Sequence, residues 1–298
     1  MIAASWLWAV FTVIAATGQT ARNAMQRELT RVVGTVGATL VRFLFGLPFG
    51  LLFLVGVAYW LDTPLPQANA AFLAWNALAS VAQIVATALM LLAMTERSFV
   101  VTTAYIKTEP VLVAIFGLVF LGDRITAPAA IAIVTATAGV MMMSWTRGAA
   151  TATARPLLFG IGAAALFGIS AVGFRGAILA LAAPSFVIAA TFALAVGLSI
   201  QTALLSAYLA LFDRPSLFAI LREWRPSLFA GFTGAAGSQF WFLAFALTTA
   251  ANVRTLALIE VLFAQIVSRR IFDHKSTPRE AVGIVMVVAG IALLLWAH

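Results

Sequence analysis

Two lone carboxylates lie in the middle of apolar stretches of this chain. They are Glu109 in YIKTEPVLVAIFGLVFLGDRIT and Glu260 in LALIEVLFAQIVSRRIFDHKST. A charge at the centre of such a stretch costs roughly 2.5–3.5 kcal/mol on membrane-insertion scales, so an intramembrane carboxylate indicates function by default. Such a group can pair with a cation, bind a solute or exchange a proton. The two stretches therefore predict an intramembrane site.

The two stretches are copies of one another. They lie 151 residues apart and align without a gap, which matches Glu109 with Glu260, Arg124 with Lys275, Thr126 with Thr277 and Gly139 with Gly290. The chain is therefore the product of a duplication.

The composition excludes a soluble protein. The mean hydropathy is +1.06, 63% of the residues are hydrophobic and 9% are charged, whereas a soluble domain has about 25% charged residues. Most basic residues lie in short loops, which is a sign of membrane topology and not of nucleic-acid binding. The chain has no cysteine, and His274 and His298 lie outside the apolar spans. We therefore predict no metal site and no cofactor.

A window of about 19 residues gives ten candidate spans, each near the ~20 residues that cross a bilayer. They run roughly over residues 3–25, 33–58, 70–94, 98–120, 127–145, 157–180, 185–211, 227–248, 251–270 and 279–297. Five spans in each copy mean that the copies enter the membrane in opposite directions. The fold predicted is an all-α integral membrane protein with ten transmembrane helices as two inverted five-helix repeats, residues 1–145 and 157–298, joined by a linker at 146–156. Inverted repeats place the substrate site near the midplane, between the halves, and permit alternating access.

Short motifs make a family resemblance specific. The spans carry an acidic residue followed by small and apolar residues in spans four and nine, a turn Gly122-Asp123-Arg124-Ile125-Thr126, and a following helix that ends in Ala-Gly-Val or Ala-Gly-Ile. With five plus five helices, the whole chain resembles the EamA branch of the drug/metabolite transporter superfamily. The resemblance implies export of amino acids, other metabolites, sugars or toxic compounds. The second copy departs from the pattern, because it has Phe272-Asp273-His274-Lys275 at the turn and Val261 in place of the proline after the acid.

Cations outnumber carboxylates inside the predicted spans. The spans contain only two acidic residues, Glu109 and Glu260, and an anionic group on the solute would reduce this imbalance of charge. The basic residues are Arg22, Arg42, Lys107, Arg175 and Arg254. Arg42 and Lys107 lie deepest, whereas the other three are close enough to a span end to extend toward the surface. Arg22 and Arg175 fall at matching places in spans one and six. They are candidate gate residues at the two mouths of a cavity, or else two arginines that reach the interface.

Pro110 predicts a kink in the fourth span, because its ring clashes with the carbonyl four residues earlier and it lacks a backbone donor. The kink exposes Tyr105, Lys107 and Glu109 as candidate binding or coupling residues. Since Lys107 and Glu109 are two residues apart, they point in different directions. We expect Arg42 to pair with Glu109 and Glu260 to pair with Lys107. The alternative is a buried ion pair that only holds the helices together.

Uncharged candidates complete the predicted site. Gln83 in the third span, and Gln239 with Trp241 in the eighth, offer hydrogen-bond donors, acceptors and an aromatic wall. Hydrogen bonding between helices explains the amides nearly as well, and the aromatic cluster can instead face lipid or the core.

These patterns predict a secondary transporter of a small organic solute that bears a carboxylate, such as an amino acid or organic acid, with export as the implied direction. The alternatives are a proton-coupled cation or multidrug exporter that uses Glu109 and Glu260, or a channel. An enzyme is not predicted, since the spans contain no metal-ligand cluster and no Ser-His pair.

Loop charge predicts the orientation in an inner membrane. The odd-numbered connections hold twelve basic residues, while the opposite face holds Arg124 alone. The positive-inside rule therefore places the odd-numbered connections in the cytoplasm and both termini in the periplasm. This orientation is opposite to the one that the resemblance implies.

Overall fold

The computed structural model describes residues 6–96, 105–143, 154–222, 224–263, 265 and 277–298, apart from the side chains at 20–29, 31–32, 96, 154, 156, 221 and 225–226. Within these residues the regular structure is helical, with no strand. The helices are α1 (Leu7–Leu44), α2 (Leu47–Leu61), α3 (Ala70–Glu96), α4 (Glu109–Phe116), α5 (Ala127–Met143), α6 (Ala154–Ala180), α7 (Phe186–Phe212), α8 (Arg214–Arg222), α9 (Trp224–Leu247), α10 (Ala250–Leu256) and α11 (Pro278–Trp296). A π-helix, Gly117–Leu121, continues α4.

Length and composition make this a multi-pass membrane protein. In the described residues, apolar helices long enough to cross a bilayer lie at Val33–Leu61, Ala70–Thr95, Leu157–Ala180, Phe186–Phe212, Ser227–Leu247 and Pro278–Trp296. Shorter apolar helices lie at Leu7–Gln19, Glu109–Leu121 and Ala127–Met143. The count of ten crossings stays a prediction, because parts of the fourth, fifth and ninth spans lie outside the described residues.

The boundary between the first two spans differs from the expectation. The sequence placed a break in QRELTR at residues 26–31, yet α1 runs through this segment and changes direction at Gly34, where φ is 70° and ψ is 175°. Glycine reaches positive φ without a steric penalty, so it can supply a sharp bend inside a helix. The second apolar crossing therefore begins beside Gly34.

Helix packing follows the duplication. The most extensive contacts join α3 to α6, α5 to α11, and α1 to α9. An offset of 151 residues carries α1 onto α6 and α3 onto α9, so the α3–α6 and α1–α9 pairs are equivalent by symmetry. The α3–α6 pair is antiparallel, because Ala79 lies against Gly173 and Trp75 lies against Gly176. These contacts fit two copies related by a two-fold axis in the membrane plane.

Small residues bring α5 and α11 into backbone contact. A Cβ added at Gly139 would lie 2.7 Å from the carbonyl oxygen of Gly283, and one at Gly290 would lie 2.7 Å from the backbone nitrogen of Ala136. Gly139 and Gly290 are the matched glycines of the duplication, so each copy contributes the same contact. Small residues permit such close approach of helices in membranes.

We predict that Gly290→Ala lowers the thermal stability of the protein, because the added methyl would meet backbone atoms that cannot rotate away. Overpacking of this kind costs about 1–3 kcal/mol. Gly56→Ala in α2 is the matched control, since no atom lies within 4 Å of a Cβ added there. Thermal unfolding of both variants in detergent checks the prediction. Equal midpoints for the two would contradict a close α5–α11 contact.

Candidate functional site

Two helix breaks at corresponding places position the charged residues. Residues 107–108 form a turn just before α4, with the Thr108 amide donating to the Tyr105 carbonyl at 3.3 Å. This confirms the break predicted from Pro110. A second turn at 257–258 follows α10, and the Glu260 amide donates to the Ala257 carbonyl at 3.1 Å.

The second break was not expected, because no proline follows Glu260. Its backbone forms hydrogen bonds between residues three apart, as in a 3₁₀ turn, at Leu258, Glu260 and Val261. Each glutamate therefore lies at the start of a new helical segment. Carboxylates are favoured at helix N-termini because the aligned peptide dipoles place positive charge there.

Both glutamates form ion pairs with the opposite repeat. The Lys107 ammonium donates a hydrogen bond to Glu260 Oε1, which confirms the expected partner of Lys107. Glu109 Oε1 lies 3.0 Å from Nε of Arg254. We expected Arg42 as the partner of Glu109, and the structure places Arg254 there instead.

Arg254 lies inside the protein and not at the membrane surface. It is 9% exposed, in the last turn of α10. Its guanidinium carbon lies 4.6 Å from the ring centroid of Trp241 and 5.5 Å from that of Phe245. The expectation that this side chain extends to the interface was wrong, because the α9–α10 turn packs within the bundle and Glu109 and two aromatic faces hold the cation.

A cavity lies between the two copies at these charges. The first repeat lines it with Gln19, Arg42, Gln83, Met90, Met94, Ile106, Lys107 and Glu109, and the second with Phe167, Ser170, Ala171, Phe174, Ser238, Trp241, Phe242, Phe245, Arg254 and Glu260. Its volume is about 40 Å³, which is enough to hold water molecules. The wall thus combines three cations, two carboxylates and an aromatic surface.

Several polar atoms of the cavity-lining residues have no protein partner. Within the described part of the chain, no hydrogen bond reaches Ser170 Oγ, Trp241 Nε1 or Glu260 Oε2, all of which are buried. Buried polar groups are normally satisfied by protein or by ordered water. These two donors and one acceptor are therefore available to water or a solute.

The structure brings some of the uncharged candidates together and leaves others apart. Gln83 lies in the cavity wall and accepts a hydrogen bond from Gln201 at 2.8 Å, and Trp241 lies in the wall as well. Gln239 does not line the cavity, and its amide donates to Thr191 at 2.7 Å. Tyr105 packs on Gly160 of α6 and is also outside the wall. Gln239 therefore fits the alternative of hydrogen bonding between helices, and Tyr105 packs against a helix outside the cavity.

Arg175 lies beside the cavity and not in it. Its Nη1 donates to the carbonyl of Phe245 at 2.7 Å and to that of Thr248, while Nη2 lies 3.5 Å from Asp123 Oδ1. These contacts connect α6, which contains Arg175, and the end of α9 to the turn that follows the π-helix of the first repeat. The side chain of its predicted counterpart, Arg22, lies outside the described residues.

Sequence reasoning did not place four polar or aromatic residues in the wall that contribute to the site. Arg254, Ser170, Phe174 and Phe245 come from three different helices. A signal existed for Arg254, which precedes Glu260 by six residues in the same span. Ser170 and the two phenylalanines carried none, because they resemble other core residues of α6 and α9.

Comparison with known proteins agrees with this architecture. The model of the EamA-like transporter family matches residues 2–145 and again residues 154–296. Among solved structures 28 chains are similar; one crystal structure has a TM-score of 0.70 over 99% of this chain and 96% of its own, at 14% identity, which supports the fold alone. No curated protein shows significant similarity. Because the family model matches both copies of the duplication, the chain belongs to the EamA-like transporter family.

Proposed function

We propose that this protein is a secondary transporter of a small organic solute with a carboxylate group, such as an amino acid or an organic acid. The observation that carries the proposal is the cavity between the repeats, whose wall holds Arg42, Lys107 and Arg254 together with Glu109 and Glu260. All five are buried, none being more than 9% exposed. Buried cations favour a carboxylate, while the aromatic faces accommodate an apolar group.

The solute binds in the cavity beside the breaks of α4 and α10, where Ser170 of α6 and Trp241 of α9 offer donors without protein partners. Both breaks lie between the copies, so movement of one copy against the other changes the surroundings of the cavity. Alternating access then exposes one site to each side of the membrane in turn.

The alternative of a cation or multidrug exporter uses the glutamates as cation ligands. Lys107 and Arg254 already neutralise these carboxylates. A cationic solute would have to displace a protein cation, which would then lie buried without its partner, at a cost of several kcal/mol. This favours the anionic solute.

A thermal-shift screen of the purified protein tests the solute class. We expect amino acids or organic acids to raise the unfolding midpoint, because a ligand that binds only the folded state stabilises it. Arg42→Gln should lower the affinity for the solute found in the screen about tenfold or more, since hydrogen bonds to charged groups contribute about 1.5–3 kcal/mol. Arg155→Gln, which removes an exposed arginine at the start of α6, is the matched control.

A second variant keeps the test decisive if Arg42→Gln does not fold. Lys107→Gln combined with Glu260→Gln removes both charges of one ion pair and preserves its size, so that no lone charge remains buried. It should fold and lose the solute-dependent shift. Stabilisation by lipophilic cations alone, or an unchanged shift in both cavity variants, would contradict the proposed solute. Currents in place of saturable uptake into proteoliposomes would identify a channel.

We further propose that Arg175 acts as a gate residue, as its position in the duplication suggested. Phe245 links the two features, since its ring lies in the cavity wall and its carbonyl accepts from Arg175. The Arg175–Asp123 pair joins the two repeats just beyond the cavity. Loss of the pair would open this end of the cavity.

The absence of cysteine in the chain permits a direct test of the gate. Ser170→Cys places a single thiol in the cavity wall, and its rate of reaction with a membrane-impermeant maleimide reports opening. Asp123→Asn should raise that rate about fivefold or more, which corresponds to roughly 1 kcal/mol for a part-buried ion pair. Asp62→Asn, an exposed residue in the α2–α3 turn, is the control for the same chemical change. Equal rates in the two backgrounds would overturn the gate.

We propose that both termini face the periplasm, as loop charge predicts. The rings of Trp8 and His298 lie 4.8 Å apart, so the start of α1 and the end of α11 share one face. The amide of Asn69 donates to the Ala180 carbonyl at 2.6 Å, which places the α2–α3 and α6–α7 turns together, as alternating crossings require.

Fusions at the C-terminus test this orientation. A fluorescent protein that matures only in the cytoplasm should remain dark, and a phosphatase that is active only in the periplasm should be active at the same point. Bright fluorescence without phosphatase activity would reverse the proposed topology.

A further inference from the structure

The short helix α8 lies between two long apolar helices, where the chain turns at one end of the bundle. It has nine residues, Arg214–Arg222, and a length of about 13 Å is too short to cross the ~30 Å hydrocarbon core. Ile220 is fully buried, with its Cδ1 3.5 Å from a Cβ built at Gly37 of α1. Leu217 packs on the core as well. One face of α8 is therefore anchored to the protein.

The beginning of α8 is fixed by its own polar groups. Asp213 accepts hydrogen bonds from the backbone amide of Ser216 at 3.2 Å and from its hydroxyl at 2.6 Å, as an N-cap residue does. Pro215 in the first turn suits a helix start. The carboxylate of Asp213 is thus engaged in capping, so it offsets the neighbouring arginines only partly.

The outer face of α8 carries a basic and aromatic stripe. Arg214, Phe218 and Arg222 are spaced four residues apart, so they share one side of the helix. All three are exposed, and Phe218 is 68% exposed. At about 1.5 Å per residue the two arginines are separated by ~12 Å, with the apolar ring between them. Exposed aromatic and basic residues on a short helix are typical of contact with the membrane interface.

We propose that α8 binds the surface of a leaflet that contains anionic phospholipids. Arg214 and Arg222 contact phosphate groups of neighbouring lipids, and the ring of Phe218 inserts between their acyl chains. Charge complementarity supports anionic phospholipids as the ligand, because the loop that contains α8 belongs to the face with twelve basic residues. Contact with such a surface would hold α8 and the adjoining end of α7 in the interfacial plane. This inference is independent of the solute that the cavity binds.

The first experiment measures where Phe218 lies. Phe218→Cys provides a single thiol for a fluorophore in this cysteine-free chain, and the labelled full-length protein is reconstituted into vesicles that contain lipids brominated near the headgroup. We expect strong quenching. Fluorescence equal to that in vesicles without bromine would show that the helix face projects into water or is covered by protein, and would overturn the proposal.

The second experiment measures the charge dependence. The wild-type protein is compared in phosphatidylcholine bilayers with and without phosphatidylglycerol, and the concentration of phosphatidylglycerol that gives half of the rise in unfolding midpoint is recorded. Arg214→Gln with Arg222→Gln should raise this concentration about fivefold for each arginine removed. Arg124→Gln with Arg155→Gln removes the same charge away from α8 and should leave the concentration near the wild-type value. An equal effect of both double variants would refute a specific role of α8.

Discussion

Pairing of buried charges is the constraint on which the rest of this structure depends. Among the described residues, five ionisable side chains lie buried in the interior of a bundle surrounded by hydrocarbon, where an isolated charge would be expensive. Two ion pairs reduce that cost, and each joins one repeat to the other, Lys107 to Glu260 and Glu109 to Arg254. Both pairs require α4 and α10 to meet at their breaks. The close glycine contacts between α5 and α11 allow the neighbouring helices to approach closely enough for this.

The duplication is symmetric in its carboxylates and asymmetric in its cations. Glu109 and Glu260 correspond to each other, whereas Lys107 corresponds to Leu258, and Arg254 corresponds to Thr103. Each repeat nevertheless supplies one cation to the carboxylate of the other. The pairs therefore connect the copies by two unlike contacts, one to an ammonium and one to a guanidinium that also stacks on Trp241 and Phe245. We therefore expect substitutions of the two glutamates to have different consequences, since the lost partners differ in geometry and hydration.

Contacts between the repeats also occur beyond the charges. Arg175 reaches Asp123 and the carbonyls at the end of α9, next to a π-helix that is followed by Gly122 with φ of 67°. A π-helix and a left-handed glycine leave the backbone less regular than an α-helix. The turn after the π-helix, which contains Asp123, is therefore the place where a small backbone change would alter a contact with the other repeat.

The sequence by itself determined the membrane class, the duplication, the two glutamates, the break at Pro110 and the Lys107–Glu260 pair. The membrane class, the lone glutamates and the break follow from local chemistry, since hydropathy and the missing amide hydrogen of proline act within a few residues along the chain. The Lys107–Glu260 pair, 153 residues apart, follows from the duplication, whose symmetry places both glutamates near the axis that relates the copies. Only the tertiary structure decided that Arg254 and not Arg42 neutralises Glu109, that the ninth span breaks without a proline, and that Tyr105 and Gln239 lie outside the cavity. The depth of a side chain in a helix bundle depends on where its turn packs and on which neighbours surround it. A long arginine that could reach the membrane surface instead remains inside, because a carboxylate and two aromatic faces hold it there.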